Sequence, residues 1–100
     1  MDIQIQAIHF DADNKLMVFI EEKVERLSQY FDNIIGAEVK LKVEKAGSHE
    51  NKVIEIKIAI PGKDLFASKQ CNSFEESADE AVEALRRQIK KHKEKLMAKH

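Results

Sequence analysis

The side chains best able to do chemistry lie in the run RRQIKKHKEKL, residues 86 to 96, where cations dominate. At about 100° per residue, a helix sorts these cations into two rows, one on each flank of an apolar stripe. One row comprises Arg86, Lys90 and Lys93, and the other comprises Arg87, Lys91 and Lys95. Ammonium and guanidinium groups in such rows neutralise phosphates, so the pattern is typical of a surface that binds a polyanion.

The first half of the same helix is acidic, and this allows a second interpretation. Residues 72 to 85 contain no Lys or Arg, and their acids are Glu75, Glu76, Asp79, Glu80 and Glu83. Acids at an N-terminus and bases at a C-terminus complement the helix dipole, each by roughly 0.3–1 kcal/mol. That effect acts within the terminal turn, whereas the basic run covers roughly three to four turns. The charge pattern alone leaves both a solvated helix end and a polyanion surface open.

An earlier helix carries a weaker form of the same signal. Lys15, Lys23 and Arg26 share one flank with Phe19 and Tyr30, and the other flank is acidic. Cations beside an aromatic ring suit contact with a phosphate together with stacking on a base. A tyrosine at the edge of a core is nevertheless the commoner arrangement, and we assign Tyr30 to it.

Catalytic and metal-binding patterns receive little support. The four histidines show no metal-ligand spacing with Cys71 or with acids, and His92 falls within an apolar stripe. Only three glycines occur, and they form no phosphate-binding loop. We therefore predict no enzyme activity, no metal, no cofactor and no small-molecule substrate, and we assign Cys71 to the core or its edge.

Composition predicts one soluble globular domain over residues 1–100. The chain has 100 residues, a net charge of -1 and 43% hydrophobic residues. No apolar run approaches the roughly 20 residues that span a bilayer, and the N-terminus does not resemble a secretory signal. A single cysteine excludes an intrachain disulfide. These features predict a cytoplasmic protein without membrane contact.

Changes in hydrophobic period predict six elements in the order β-α-β-β-β-α. The strands are DIQIQAI, AEVKLKVEK, KVIEIKIAI and LFASKQC, with AGSHEN as a hairpin loop between the second and third. The first helix covers residues 14 to 31, with Asp13 as its N-cap and Asn33 and Gly36 at its end. The expected fold is a two-layer α+β sandwich, in which two helices cover one face of a four-stranded antiparallel sheet.

The second helix covers NSFEESADEAVEALRRQIKKHKEKL. Ser73 and Glu76 fit a capping box at its start. Its apolar stripe is predicted to pack on the sheet and comprises Phe74, Ala78, Ala81, Val82, Leu85, Ile89 and Leu96, with His92 among them.

Three stretches together resemble a known family. KVERLSQYFDNI, VKLKVEK and RRQIKKHKEKL resemble the bacterial ribosome hibernation-promoting factors and the similar ribosome-associated inhibitor A proteins. The most specific parts are residues 27 to 32, residues 41 to 45, and a pattern formed by Arg87, Gln88, Lys91, His92 and Lys93. The resemblance covers nearly the whole chain and implies a fold similar to double-stranded RNA-binding domains.

The resemblance also implies a function. Such a protein binds the small ribosomal subunit through 16S ribosomal RNA, in the mRNA channel and across the transfer RNA sites. It blocks translation and preserves inactive 70S or paired ribosomes under stress or in stationary phase. The chain resembles the short form of the family, without a second domain. Eight residues would face ribosomal RNA: Lys23, Arg26, Arg86, Arg87, Lys90, Lys91, Lys93 and Lys95.

Other functions remain to be distinguished. A general double-stranded RNA-binding module would bind free duplex as well as ribosomes. An interaction protein would use the basic helix for an acidic partner and would bind no RNA. An esterase or metalloenzyme is a distant third alternative.

Overall fold

The chain folds in the predicted order of elements. The computed structural model describes residues 1–44 and 50–98. The elements are β1 (Asp2–Ala7), α1 (Asn14–Glu25), a 3₁₀ turn (Arg26–Gln29), β2 (Gly36–Val43), β3 (Lys52–Ile60), β4 (Lys63–Cys71) and α2 (Phe74–Ala98). Expectations for Lys45 and His49, for most of the AGSHEN loop, and for Lys99 and His100 lie outside the described residues.

The sheet is mixed, and this corrects the antiparallel sheet expected from the sequence. Its strand order is β1-β2-β3-β4, and β2, β3 and β4 pair antiparallel. β1 instead pairs parallel with β2, with Asp2 opposite Gly36. Helix α1 connects these two strands. A helical crossover allows β2 to begin at the same end of the sheet as β1, so the two strands run parallel. Gly36 permits the close approach, since a Cβ there would lie 2.9 Å from the Asp2 carbonyl oxygen.

Both helices cover one face of the sheet, which confirms the two-layer α+β sandwich. Ile54, Ile56 and Ile58 of β3 are fully buried under the helices, as are Leu27 and Leu85 above them. The opposite face is polar and carries mainly charged and amide side chains, among them Gln4, Glu38, Lys40 and Lys57. The likeness to double-stranded RNA-binding domains in particular stays a prediction.

The first helix is shorter than expected. Its α-helical part stops at Glu25, and a 3₁₀ turn continues to Gln29 instead of helix to residue 31. Ser28 Oγ donates to the Glu25 carbonyl at 2.8 Å, so a side chain competes for the helical backbone there. At the other end Asp13 occupies the N-cap, but its carboxylate accepts no cap hydrogen bond from the described amides. The predicted N-cap position of Asp13 is therefore confirmed, but the predicted hydrogen bond to its carboxylate is wrong.

The start of α2 is fixed as predicted. Ser73 Oγ accepts a hydrogen bond from the Glu76 amide at 3.1 Å, which is the N-cap half of a capping box. One turn later Ser77 Oγ donates to the Lys52 carbonyl at 2.6 Å and ties the helix to β3. Further along, Gln88 Nε2 donates to the Phe66 carbonyl of β4 at 2.8 Å. The helix is thus hydrogen-bonded to two strands.

The end of α2 leaves the sheet. Its 25 residues span roughly 37 Å, longer than a nine-residue strand of roughly 30 Å. Leu96 is 46% exposed and Met97 is 73% exposed, so the expected packing of Leu96 on the sheet is wrong. His92 is partly buried and meets the Phe31 ring edge to face at 5.6 Å, as expected of a structural histidine.

No helix among the described residues is long and apolar enough to cross a membrane.

Candidate nucleic-acid interface

Four of the predicted basic residues line one cleft. The cleft has a volume of about 710 Å³ and lies where α1 and the 3₁₀ turn meet α2. Lys23 lines it from α1 and Arg26 from the 3₁₀ turn, and Arg86 and Arg87 line it from α2. Three acids line it too, namely Asp79, Glu80 and Glu83. The sequence therefore identified a real cluster of cations, but their charge is partly neutralised in place.

Lys23 is the most constrained of the eight. Its Nζ lies 2.6 Å from the Asp79 carboxylate on α2 and 5.4 Å from the centre of the Phe19 ring. Its side chain is only 25% exposed. This ammonium links the two helices, so it is less available to an external phosphate than the sequence alone suggested.

Glu83 holds the two arginines at the boundary between the acidic and basic halves of α2. Arg86 Nε donates to the Glu83 carboxylate at 3.0 Å, and Arg87 approaches it at 4.0 Å. The hydrogen bond from Arg86 holds the pKa of Glu83 below its usual value, and the same contact raises the pKa of Arg86. The guanidinium of Arg86 also lies over the Tyr30 ring, 5.8 Å from its centre.

The remaining predicted cations are available to a ligand. Arg26, Lys90, Lys91 and Lys95 are exposed, and within the described residues they make no ion pair. Lys93 donates to the Tyr30 carbonyl at 2.8 Å and is otherwise exposed. The free positive charge is therefore concentrated in the last turns of α2, whereas Arg26 lies in the cleft beside the middle of the helix.

Two residues belong to this surface although they were not assigned to it. Lys69 lines the same cleft from β4. Alternation places it on the helix-covered face with Leu65 and Ala67, and a lysine there must reach the rim to keep its charge in water. Tyr30 lines the cleft and is 43% exposed, so it is more accessible than a core-edge tyrosine.

Two of the cations on the open sheet face are already paired. Lys42 lies 3.2 Å from Glu55, and Lys57 lies 3.0 Å from Glu38. The hydrogen bond from Lys57 lowers the pKa of Glu38, and the pKa of Lys57 is raised in turn. These pairs give the open face little net charge and distinguish it from the end of α2.

One cluster has the composition of a metal site. Ligand-type atoms of Cys71, Glu76 and Glu80 lie within 4.8 Å of one another. Burial, together with a hydrogen bond to Glu80, raises the pKa of the Cys71 thiol to about 11, and its Sγ donates to Glu80 at 3.2 Å. A metal binds the thiolate, which this environment disfavours, so the cluster fits a metal poorly.

Similar proteins cover this chain almost from end to end. A ribosome hibernation promoting factor of Pseudomonas putida is 32% identical over 95 residues, which are 95% of this chain and 89% of that protein. One from Escherichia coli strain K12 is 30% identical over 96 residues, which are 96% of this chain and 97% of that protein.

Solved structures have the same fold. A ribosomal subunit interface protein from Coxiella burnetii superposes with a TM-score of 0.83 at 22% identity, over 93% of this chain and 98% of that one. The N-terminal domain of Thermus thermophilus Protein Y gives a TM-score of 0.80 at 22% identity, over 92% and 99%.

The model of one family matches residues 3–97, which cover the described strands and helices except the first residue of β1 and the last residue of α2. With close agreement in fold and curated relatives at 30% identity or more, the chain belongs to the family described as Sigma 54 modulation protein / S30EA ribosomal protein.

Proposed function

We propose that this protein is a ribosome hibernation factor that binds the small ribosomal subunit through 16S ribosomal RNA. The observation that carries the proposal is the end-to-end match to curated relatives that are named ribosome hibernation promoting factors. The proposed action is to occupy the mRNA channel across the transfer RNA sites, and so to keep 70S or paired ribosomes inactive in the cytoplasm under stress or in stationary phase.

The distribution of free cations supports RNA as the ligand. Lys90, Lys91 and Lys95 are exposed and unpaired within the described residues, and they stand on a helix that extends beyond the sheet. Phosphates that meet such ammonium groups release their counterions, which favours binding at low salt. The proposed interface thus requires no deep pocket and no chemical step.

The shape of the protein supports a steric mechanism without catalysis. The described part of the chain measures 50 by 24 by 19 Å, and its two layers share one continuous core. A rigid, elongated domain can exclude mRNA and transfer RNA from a channel without turnover. The acids in the first half of α2 would oppose the wrong orientation, because they repel phosphate.

The test is co-sedimentation with small subunits and with whole ribosomes on gradients at low and high salt. The variant that combines Lys90→Glu with Lys91→Glu should leave the ribosomal fractions at a salt concentration at which the unmodified protein stays bound. Each lost phosphate contact should reduce the slope of log K against log salt by roughly 0.7–0.9.

The matched control combines Lys40→Glu with Lys63→Glu, which changes the net charge equally at exposed positions outside α2. If both double variants weaken ribosome binding equally, the effect comes from overall charge, and the proposed binding surface on α2 is contradicted. Unmodified protein that stays at the top of every gradient would disprove ribosome binding.

A general double-stranded RNA-binding module is the second candidate, because a surface of exposed lysines can bind phosphate without reading sequence. Competition separates the two. Free duplex RNA that displaces the protein as well as added small subunits do, at equal molar amounts, would favour the general module.

A further inference from the structure

A second, smaller crevice lies within the basic surface. It has a volume of about 230 Å³ and lies between Tyr30, which follows the 3₁₀ turn, and the second half of α2. Tyr30, Ile89 and Met97 form its apolar walls. Its charged residues are Arg86, Lys90, Lys93 and Glu94. An apolar slot bordered by three cations and one carboxylate is unusual for a merely solvated helix end.

The walls of the crevice are held in place before any ligand arrives. Arg86 is fixed by Glu83 and lies 5.8 Å from the centre of the Tyr30 ring. Lys93 Nζ donates to the Tyr30 carbonyl at 2.8 Å, so the backbone of this tyrosine is tied to α2. The ring itself remains 43% exposed, and Met97 on the facing side is 73% exposed. Apolar surface is therefore presented in a defined shape.

An unpaired nucleotide has the matching chemistry. Its base offers a flat apolar face for an aromatic ring or a guanidinium plane, and its phosphate offers a negative charge for an ammonium group. A base within a duplex is covered on both faces by its neighbours and cannot enter. A second copy of this chain would bring the same three cations against the slot and would be repelled.

We infer that this crevice, which we call the Tyr30 slot, binds one unpaired nucleotide of RNA, with the base against Tyr30 and Met97 and the phosphate at Lys90. This inference rests on the proposed binding of RNA and adds a contact that duplex RNA cannot make. It gives the surface a preference for loops, bulges or single strands that charge alone does not supply.

The sequence supplies a specific probe, because the chain contains one tyrosine and no tryptophan. Its intrinsic emission therefore reports on Tyr30 alone. The ligands for the test are an RNA hairpin with an unpaired loop and a fully paired duplex of the same length. We expect the hairpin to quench the emission and the duplex to leave it nearly unchanged.

Three variants separate stacking from charge and from folding. Tyr30→Ala should weaken binding of the hairpin roughly 5- to 100-fold, and leave both duplex binding and the salt slope unchanged. Tyr30→Phe keeps the ring and should bind as the unmodified protein does. Phe66→Ala removes an aromatic ring that is 53% exposed on the open sheet face, and should also leave binding unchanged.

Several outcomes would overturn the slot. Equal binding of the hairpin by Tyr30→Ala and by the unmodified protein would show that the crevice is unused. An equal loss for hairpin and duplex would point to a general disturbance of the surface, as would a lowered urea midpoint. Dimers of the unmodified protein that Tyr30→Ala dissociates would make the crevice a self-contact.

A failure of the slot is distinguishable from a failure of the proposed function. If the unmodified protein sediments with small subunits but its tyrosine emission does not respond to the hairpin, the slot is disproved and ribosome binding is not. If the unmodified protein neither sediments with ribosomes nor binds the hairpin, both proposals are disproved.

Discussion

The two halves of α2 share a helix but differ in charge and in exposure. The first half, Phe74 to Leu85, is packed on the sheet, and its residues at the contact are buried. Its acids are partly paired, as Asp79 is with Lys23. The second half begins at Arg86 and still packs through the buried Ile89, but toward its end Leu96 and Met97 are exposed. Most of its cations among the described residues make no ion pair.

This difference indicates that stability and the proposed RNA binding depend mainly on different side chains of one element. The first half contributes burial and hydrogen bonds to the domain, whereas the exposed cations of the second half contribute charge and accessible surface. Substitutions at the buried positions of the first half should therefore change stability more than affinity. Substitutions of the exposed cations Lys90, Lys91 and Lys95 should do the opposite.

The largest effect should come from a matched pair of leucines. Leu85→Ala removes a fully buried side chain and should lower the free energy of unfolding by about 2–5 kcal/mol. Leu96→Ala makes the same chemical change at a half-exposed position and should cost no more than about 0.5 kcal/mol. Urea denaturation measures both, and similar losses would show that Leu96 is packed as firmly as Leu85.

The N-cap of α2 should give an intermediate effect. Ser73→Ala removes the oxygen that accepts from the Glu76 amide and should cost about 1 kcal/mol, without any change in affinity for RNA. Asp13→Ala at the start of α1 is the control, because the described amides there donate no cap hydrogen bond to it. It should cost about 0.5 kcal/mol or less. The comparison between the halves would be weakened if Ser73→Ala reduced RNA binding.

The smallest effect should come from Glu83, at the boundary of the halves. Because the folded protein lowers the pKa of Glu83 below its ordinary value of 4.5, its contribution to stability is present above that pH. The contribution is lost as the pH falls through the lowered pKa. The difference in the free energy of unfolding between the unmodified protein and Glu83→Gln should therefore be largest near neutral pH. It should disappear at acidic pH.

Glu83→Gln should also release Arg86 and Arg87 and so strengthen binding to RNA. Glu75→Gln removes the same charge from the first turn of α2 and serves as the control, because Glu75 makes no ion pair with an arginine among the described residues. Titration with the hairpin RNA measures both variants. An equal gain for the two would attribute the change to net charge and not to the arginines.

Much of the fold follows from the hydrophobic periodicity of the sequence. Periodicity indicates which face of a helix or strand is apolar, but it does not indicate which part of that face is covered by another element. The alternation in β1 identified Ile3 and Ile5 as the residues that face the core, yet it contained no information on the direction of the neighbouring strand. The same limit explains Leu96, which falls at the angle of the stripe but beyond the end of the sheet. How far each apolar side chain is buried depends on the lengths of the elements that it packs against, and these are distant in sequence.

The candidate interface shows a similar limit. The two rows of cations on α2 were predictable, because they depend on spacing within a single helix. The pairing of Lys23 with Asp79 depends on how two helices cross, which helical spacing alone does not define. The eight predicted contacts therefore stay predictions, and the structure divides them into cations that are engaged and cations that are free.

The hydrogen bond from Gln88 to the Phe66 carbonyl has a consequence for the protein in a crowded cell. β4 is an edge strand, and its Phe66 ring is exposed. Unpaired backbone groups beside an exposed aromatic residue are a template on which strands of other chains can aggregate. Because the Gln88 amide occupies this carbonyl, strand addition would first have to displace it. The helix that carries the proposed RNA-binding cations thus also occupies one acceptor on the edge of the sheet.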